Sequence, residues 1–142
     1  MELAELKNNL FEYLELDPIK VKYEDLGEED ARFYTHDLYI AINNKYINDE
    51  FEIMKCLIHE IKHYHQLVVV ICEERENPQY EYWRKELMNK IKLKPEDAMC
   101  QNIEIDAYAF TKYILKEWFN IEYHHYDKKY DEVLDLFIKK YY

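Results

Sequence analysis

Residues 54–71 read MKCLIHEIKHYHQLVVVI, and this apolar run predicts a long helix. Within it, His59-Glu60-x-x-His63 places two imidazoles four residues apart, so that they lie on one face of the helix. Two such imidazoles can reach one metal ion, with Glu60 beside a water on that ion, as in zinc hydrolases. The apolar stripe that would bury one side of the helix consists of Leu57, Ile61, Tyr64, Val68 and Ile71.

The HExxH spacing is short enough to arise by chance on a helix whose histidines are ordinary surface or core groups. The apolar, helical context favours the metal site, because the histidines and the glutamate of a partly buried motif are not ordinary solvated surface groups. A structural zinc site uses four protein ligands, whereas a hydrolytic one uses three and a water. The next question is therefore whether a third ligand follows.

Glu104 is the best candidate for a third ligand, because it falls on a later predicted helix where the small Ala107 allows close packing. Asp106 is the second candidate, but it lies about 200° around the helix from Glu104, so only one of them can face the metal. Either residue could instead be one of the many solvated acids. The thiols of Cys56 and Cys100 are further possible ligands, although small buried cysteines are common in protein cores.

The composition indicates one globular domain over residues 1–142, with 49% apolar residues and a single glycine. A net charge of −11 argues against nucleic-acid binding, which needs a basic face. Three cysteines without CxxC spacing suggest a reducing compartment, and no signal peptide is visible at Met1. The apolar segment 67–71 is too short to span a bilayer, so we expect a cytoplasmic protein that binds no membrane.

Periodicity predicts an α+β fold that is mostly helical, with a small N-terminal antiparallel sheet before the HExxH helix. Turn residues such as Asp17-Pro18 and Asn77-Pro78 separate the elements. The predicted strands are residues 19–23, 31–34 and 38–42. The predicted helices are residues 2–16, 50–73, 80–91, 95–118 and 127–140.

The combination of His59-Glu60-x-x-His63 with Glu104-x-x-Ala107-x-x-Phe110 resembles the gluzincin metallopeptidases. It is most similar to the small ImmA/IrrE-type and minigluzincin group, which show HExxH and then a helix bearing E-x-x-A-(N/D)-x-F-A. Residues 38–43 resemble the strand that precedes the active-site helix in that family. The resemblance covers roughly residues 31–118 and implies a zincin-like fold.

The resemblance also implies a zinc ion and a protein or peptide substrate, such as a repressor or another regulator. It assigns His59, His63 and Glu104 as metal ligands and Glu60 as the general base. The strand at residues 38–42 would be the edge along which an extended peptide lies, gaining main-chain hydrogen bonds.

The chain departs from the family pattern at three positions. Tyr108 replaces the usual Asn or Asp, which can orient a ligand histidine by hydrogen bonding. Lys62 replaces a small residue, which is acceptable if its side chain faces outward, and Thr111 replaces the final Ala. These differences bear on catalytic efficiency more than on metal binding.

A donor for the developing oxyanion is sought after the third-ligand helix, and Tyr123-His124-His125-Tyr126 is the obvious source. We therefore predict His124 and His125 as catalytic candidates beside Glu60, although the segment could be a polar aromatic loop. Two other interpretations stay open. One is a catalytically weak or inactive zincin-fold interaction protein of phage or mobile-element type, and the other is a helical domain with a chance motif.

Overall fold

The computed structural model describes residues 2–72, 77–89 and 101–142. Over these ranges the chain is α+β and mostly helical, with a three-stranded sheet towards the N-terminus. The strands are β1 Lys20–Glu24, β2 Ala31–Tyr34 and β3 Tyr39–Asn43. The helices are α1 Leu3–Tyr13, α2 Glu50–Cys72, α3 Pro78–Asn89, α4 Asn102–Phe119 and α5 Lys128–Tyr141, with a 3₁₀ turn at Asn44–Tyr46. The predicted α+β class, mostly helical with a small N-terminal sheet, is confirmed. None of these helices is long and apolar enough to cross a membrane.

The chain forms two compact units, Met1–His65 and Gln66–Tyr142, and the division between them falls inside α2. The first unit holds α1, the sheet and the larger part of α2. The second unit holds the end of α2 together with α3, α4 and α5.

Helix α1 ends three residues before its predicted end. The turn that ends it could not be predicted, because its sequence lacks the usual glycine. The Leu16 N–H donates to the Phe11 carbonyl at 2.8 Å, and the Glu15 N–H donates to the Glu12 carbonyl at 3.1 Å. These two bonds are those of a Schellman cap, in which the residue after the helix adopts a left-handed conformation. Glu15 does so with φ of 55°, although a glycine usually fills that position.

The sheet has the order β1-β3-β2, with β3 in the centre. Strand β3 pairs antiparallel with β2 but parallel with β1, so the prediction of an antiparallel sheet is wrong for one of the two pairs. The prediction that residues 38–42 form an edge is also wrong, because β3 is hydrogen-bonded on both sides. Ile40, Ala41 and Ile42 are all fully buried, which suits a central strand covered on both faces.

In the first unit, α2 is tied to α1 and to the sheet through Tyr64. The Tyr64 hydroxyl donates to the Asp17 carbonyl at 3.0 Å. Its ring packs edge-on against Phe11, with centroids 6.3 Å apart, and tilted against Phe33 at 5.7 Å. Burial on this side of α2 sets the rotation of the helix and therefore the direction of the other face.

In the second unit, side-chain carboxylates accept from the backbone N–H groups at the starts of α4 and α5. Glu86 of α3 accepts from the Asn102 and Ile103 N–H groups at 2.8 Å each, satisfying donors that a helix N-terminus leaves free. Asp127 caps α5 in the same way by accepting from the Lys129 and Tyr130 N–H groups. The predicted helix start at Pro95-Glu96-Asp97 lies outside the described residues.

Candidate metal centre

Helix α2 brings His59 and His63 together as their four-residue spacing predicts. Their Nε2 atoms are 3.1 Å apart, and the ring planes meet at 83° with centroids 4.7 Å apart. Glu60 lies beside them and is buried, with 8% of its surface exposed. One imidazole nitrogen from each histidine and one Glu60 carboxylate oxygen all lie within 4.8 Å of one another.

The spacing of the two Nε2 atoms fits a zinc ion. Two Zn–N bonds of about 2.0–2.1 Å at a tetrahedral angle hold their nitrogens roughly 3.3–3.4 Å apart, close to the 3.1 Å between these atoms. The same separation also satisfies an N–H···N hydrogen bond between one protonated and one unprotonated nitrogen. The donor set therefore suits a divalent metal with nitrogen and oxygen ligands, without requiring one.

Lys62, between the two histidines, is buried with 4% exposure, so it does not meet the condition of facing outward under which a lysine is acceptable at this position. Its Nζ atom lies 3.0 Å from His65 Nδ1. Burial, assisted by the Lys62 charge, lowers the pKa of His65 to about 3. His65 is therefore neutral at pH 7, and its Nδ1 accepts a hydrogen bond from the lysine, which gives His65 a structural role.

The two candidate third ligands differ in what their side chains contact. Glu104 is partly buried in the first turn of α4, and its assignment as a ligand stays a prediction. Asp106 is buried, and its carboxylate accepts from Gln66 Nε2 at 2.8 Å and from the Tyr142 hydroxyl at 2.5 Å. Since both of its oxygens have protein donors, Asp106 is the weaker of the two candidates.

The structure does not support the cysteines as metal ligands. Cys56 is buried. Its burial, with a smaller contribution from nearby carboxylates, raises its pKa to about 12, so it stays a protonated thiol at neutral pH. A thiol of this kind behaves as a small core residue. Cys100 lies outside the described residues.

His124 and His125 precede α5 and occupy different environments. The His124 side chain is 66% exposed, and its Nδ1 lies 3.0 Å from Asp131 Oδ2. His125 is buried, its Nδ1 accepts from the Asp127 N–H at 3.1 Å, and its ring packs against those of Tyr108 and Tyr130. Burial lowers the pKa of His125, so its neutral form is favoured.

Asp131 organises this loop, although no sequence motif identifies it. Its carboxylate accepts from Lys112 Nζ at 2.8 Å and from the His125 N–H at 3.0 Å, and it also contacts His124. Burial opposes ionisation of Asp131, but the bonds from Lys112, His125 and His124 outweigh it and hold the pKa at about 2. An ionised Asp131 orients the His124 ring through Nδ1, and the other nitrogen, Nε2, lies 3.9 Å from Glu122 Oε2.

A scan against protein-family models and searches of curated proteins and of solved structures found no match for this chain. The residues of the site and the resemblance of its motifs are therefore the basis for a functional proposal. The strongest of these observations is the convergence of His59, Glu60 and His63.

Proposed function

We propose that this protein is a zinc-dependent metallopeptidase that hydrolyses peptide bonds of a protein substrate. The observation that carries the proposal is the 3.1 Å approach of the His59 and His63 Nε2 atoms, with the Glu60 carboxylate beside them. Two imidazoles and an adjacent carboxylate on one helical turn are the parts that metal-assisted hydrolysis requires.

In this proposal His59, His63 and Glu104 hold the zinc ion. The bound metal would supply a water whose pKa is lowered to about 7. Glu60 would then act not as a ligand but as the general base, accepting a proton of this water and later delivering it to the leaving amine. Its burial strengthens the hydrogen bonds that it makes, because water does not compete for them.

Of the two histidines predicted to stabilise the oxyanion, the structure favours His124. Its ring is exposed, and Asp131 holds its Nδ1. Its Nε2 lies 3.9 Å from Glu122 Oε2, which is beyond hydrogen-bond distance, so Nε2 can still bond to a ligand. The ring of His125 is buried, and its Nδ1 accepts from a backbone N–H, which suits a role in shaping the loop. We therefore propose His124 as the catalytic histidine and His125 as its support.

The proposed substrate is an extended segment of a protein, for instance a repressor or another regulator. Main-chain pairing with a sheet edge would hold it. Because β3 is central, the sheet edges that remain among the described residues belong to β1 and β2. The proposed docking strand is therefore one of these two and not the segment at residues 38–42.

Replacement of Glu60 tests the proposal. Glu60→Gln keeps the shape of the side chain but cannot accept the proton, so we expect cleavage to fall by about 10²–10⁴-fold. Zinc content, measured by mass spectrometry of the metal, should stay near one ion per chain. The probe is a peptide library from digested cell protein, with cleavage sites read by mass spectrometry. Absence of zinc from the unchanged protein, or equal cleavage by Glu60→Gln, would refute the proposal.

A second candidate function is a zincin-fold protein that binds a partner without cutting it. It is favoured by Tyr108, which stands where the related families carry an amide or carboxylate and packs its ring against His125 and Tyr130. The net charge of −11 would suit a basic partner. In this case Glu60→Gln would leave the biological effect of the protein unchanged.

A further inference from the structure

Gln66 is a fully buried amide that lies on α2 three residues after His63. Its Nε2 donates to the Ile103 carbonyl at 2.9 Å and to Asp106 Oδ2 at 2.8 Å. A primary amide has two N–H groups, so both are used in these bonds. The two acceptors stand on either side of Glu104 in the chain, at the start of α4.

The carboxylate that Gln66 binds is itself held from the other side. Asp106 Oδ1 accepts from the hydroxyl of Tyr142. The Tyr142 ring stacks on Tyr113, with centroids 5.2 Å apart, and lies 5.8 Å from the ring of Phe110. A buried polar network of this kind is stable only when its members keep their partners, so it selects one arrangement of the helices that it joins.

The backbone of the same turn is held a second time by α3. Glu86 accepts from the N–H groups of Asn102 and Ile103. Ile103 therefore has its N–H bound by Glu86 and its carbonyl bound by Gln66, immediately before Glu104. Bonds at both ends of one peptide unit leave that turn little freedom to shift or rotate.

We propose that Gln66 and Asp106 are positioning residues that hold the Glu104 turn of α4 in the conformation that metal binding requires. The inference rests on the proposed metallopeptidase function, since it gives Glu104 its role as a ligand. Metal ligands must be placed to within about 0.2 Å, and loss of groups that orient them typically weakens affinity 10–100-fold. The two bonds from Gln66, to the residue before Glu104 and to the second residue after it, hold the turn that carries this carboxylate.

The test measures zinc affinity of the full chain by competition with a chromophoric chelator, and the visible spectrum of the cobalt-substituted protein. Gln66→Leu removes both hydrogen bonds at similar volume, and we expect zinc affinity to fall by about tenfold or more with an altered cobalt spectrum. Asp106→Leu should behave likewise, whereas Asp106→Asn keeps two hydrogen-bonding positions and should restore most of the affinity. The matched control is Thr111→Val, which removes a buried hydroxyl that bonds only within α4, to the Ala107 carbonyl at 2.8 Å. It should lower the melting temperature without changing zinc affinity.

Zinc affinity of Gln66→Leu within twofold of the unchanged protein would overturn the positioning role and leave the metal site standing. A metal-free unchanged protein would overturn the site itself, and this inference with it. If Gln66→Leu does not fold, Tyr142→Phe tests the positioning role instead. This variant removes only the hydroxyl bound to Asp106 and keeps the stacked ring. A loss of affinity of at least about threefold then supports the proposal, and unchanged affinity overturns it.

Discussion

Two pairs of histidines in this chain show how spacing and context determine what a side chain can do. His59 and His63 are four residues apart on a helix, and their Nε2 atoms converge to 3.1 Å. His124 and His125 are adjacent in a loop and diverge, since one ring is exposed beside Asp131 and the other is buried among aromatic rings. The helix period forces the first pair together, whereas nothing in the second pair's spacing relates one ring to the other.

The first pair therefore has its geometry from local structure, and the second pair has it from tertiary contacts. Removing a member of the first pair should destroy a binding site. Removing the groups around the second pair should lower the free energy of unfolding. Substitutions in and around the two pairs can therefore separate loss of metal binding from loss of stability.

The largest effect is expected for His59→Ala and His63→Ala. Each removes one of the proposed zinc ligands, so zinc affinity should fall by at least about a hundredfold, as metal analysis after dialysis would show. His124→Ala is the control from the second pair and should keep its zinc. Retention of a full zinc equivalent by both His59→Ala and His63→Ala would contradict the site.

A smaller effect is expected from Asp131→Ala. The substitution deprives Lys112 of one partly buried carboxylate and breaks the bonds to His124 and His125, so the free energy of unfolding should fall by about 2–3 kcal/mol. Asp135→Ala is the matched control, because Asp135 also binds Lys112 at 2.8 Å but is 60% exposed. Its loss should cost less than about 1 kcal/mol in urea unfolding. Equal costs for the two variants would show that burial of Asp131 has no consequence.

The smallest effect concerns the pH dependence of stability. Folding lowers the pKa of Asp131 from 3.8 to about 2, so the unfolded chain takes up this proton first as the pH falls. The resulting stabilisation of about 2 kcal/mol is complete above about pH 5 and is lost as the pH falls through 2. Urea titrations of the unchanged protein and of Asp131→Asn should therefore converge between pH 5 and pH 2. A constant difference across this range would disprove the assignment.

Much of the fold follows from local patterns. The bounds of β2 agree with the alternation of the sequence, and α2 begins at the predicted residue, because these signals are carried within each segment. The order of the strands does not follow, since alternation shows which face is buried but not which strand is the neighbour. The left-handed residues Glu15 and Leu38 also escape prediction, because neither is a glycine or an asparagine.

In the candidate site too, local spacing predicts some residues, whereas others depend on tertiary contacts. His59, Glu60 and His63 are found from spacing alone, because one helical turn contains them all. The burial of Lys62 could not be predicted, because a lysine on a helix is usually solvated and its contact with His65 is seen only in the folded structure. Asp131 and Gln66 belong to no motif, and their importance depends on partners that lie far along the chain.

The central position of β3 has a consequence for solubility. Its run Tyr39-Ile40-Ala41-Ile42 is apolar and rich in residues that favour strands, and such a segment on a free edge would invite aggregation. The neighbours β1 and β2 occupy both sides of it. Of these, β1 carries Lys20 and Lys22 on exposed positions, and charged lysines on an outer strand discourage pairing with the same strand of another molecule. The strand order thus keeps this apolar segment away from a free edge of the sheet.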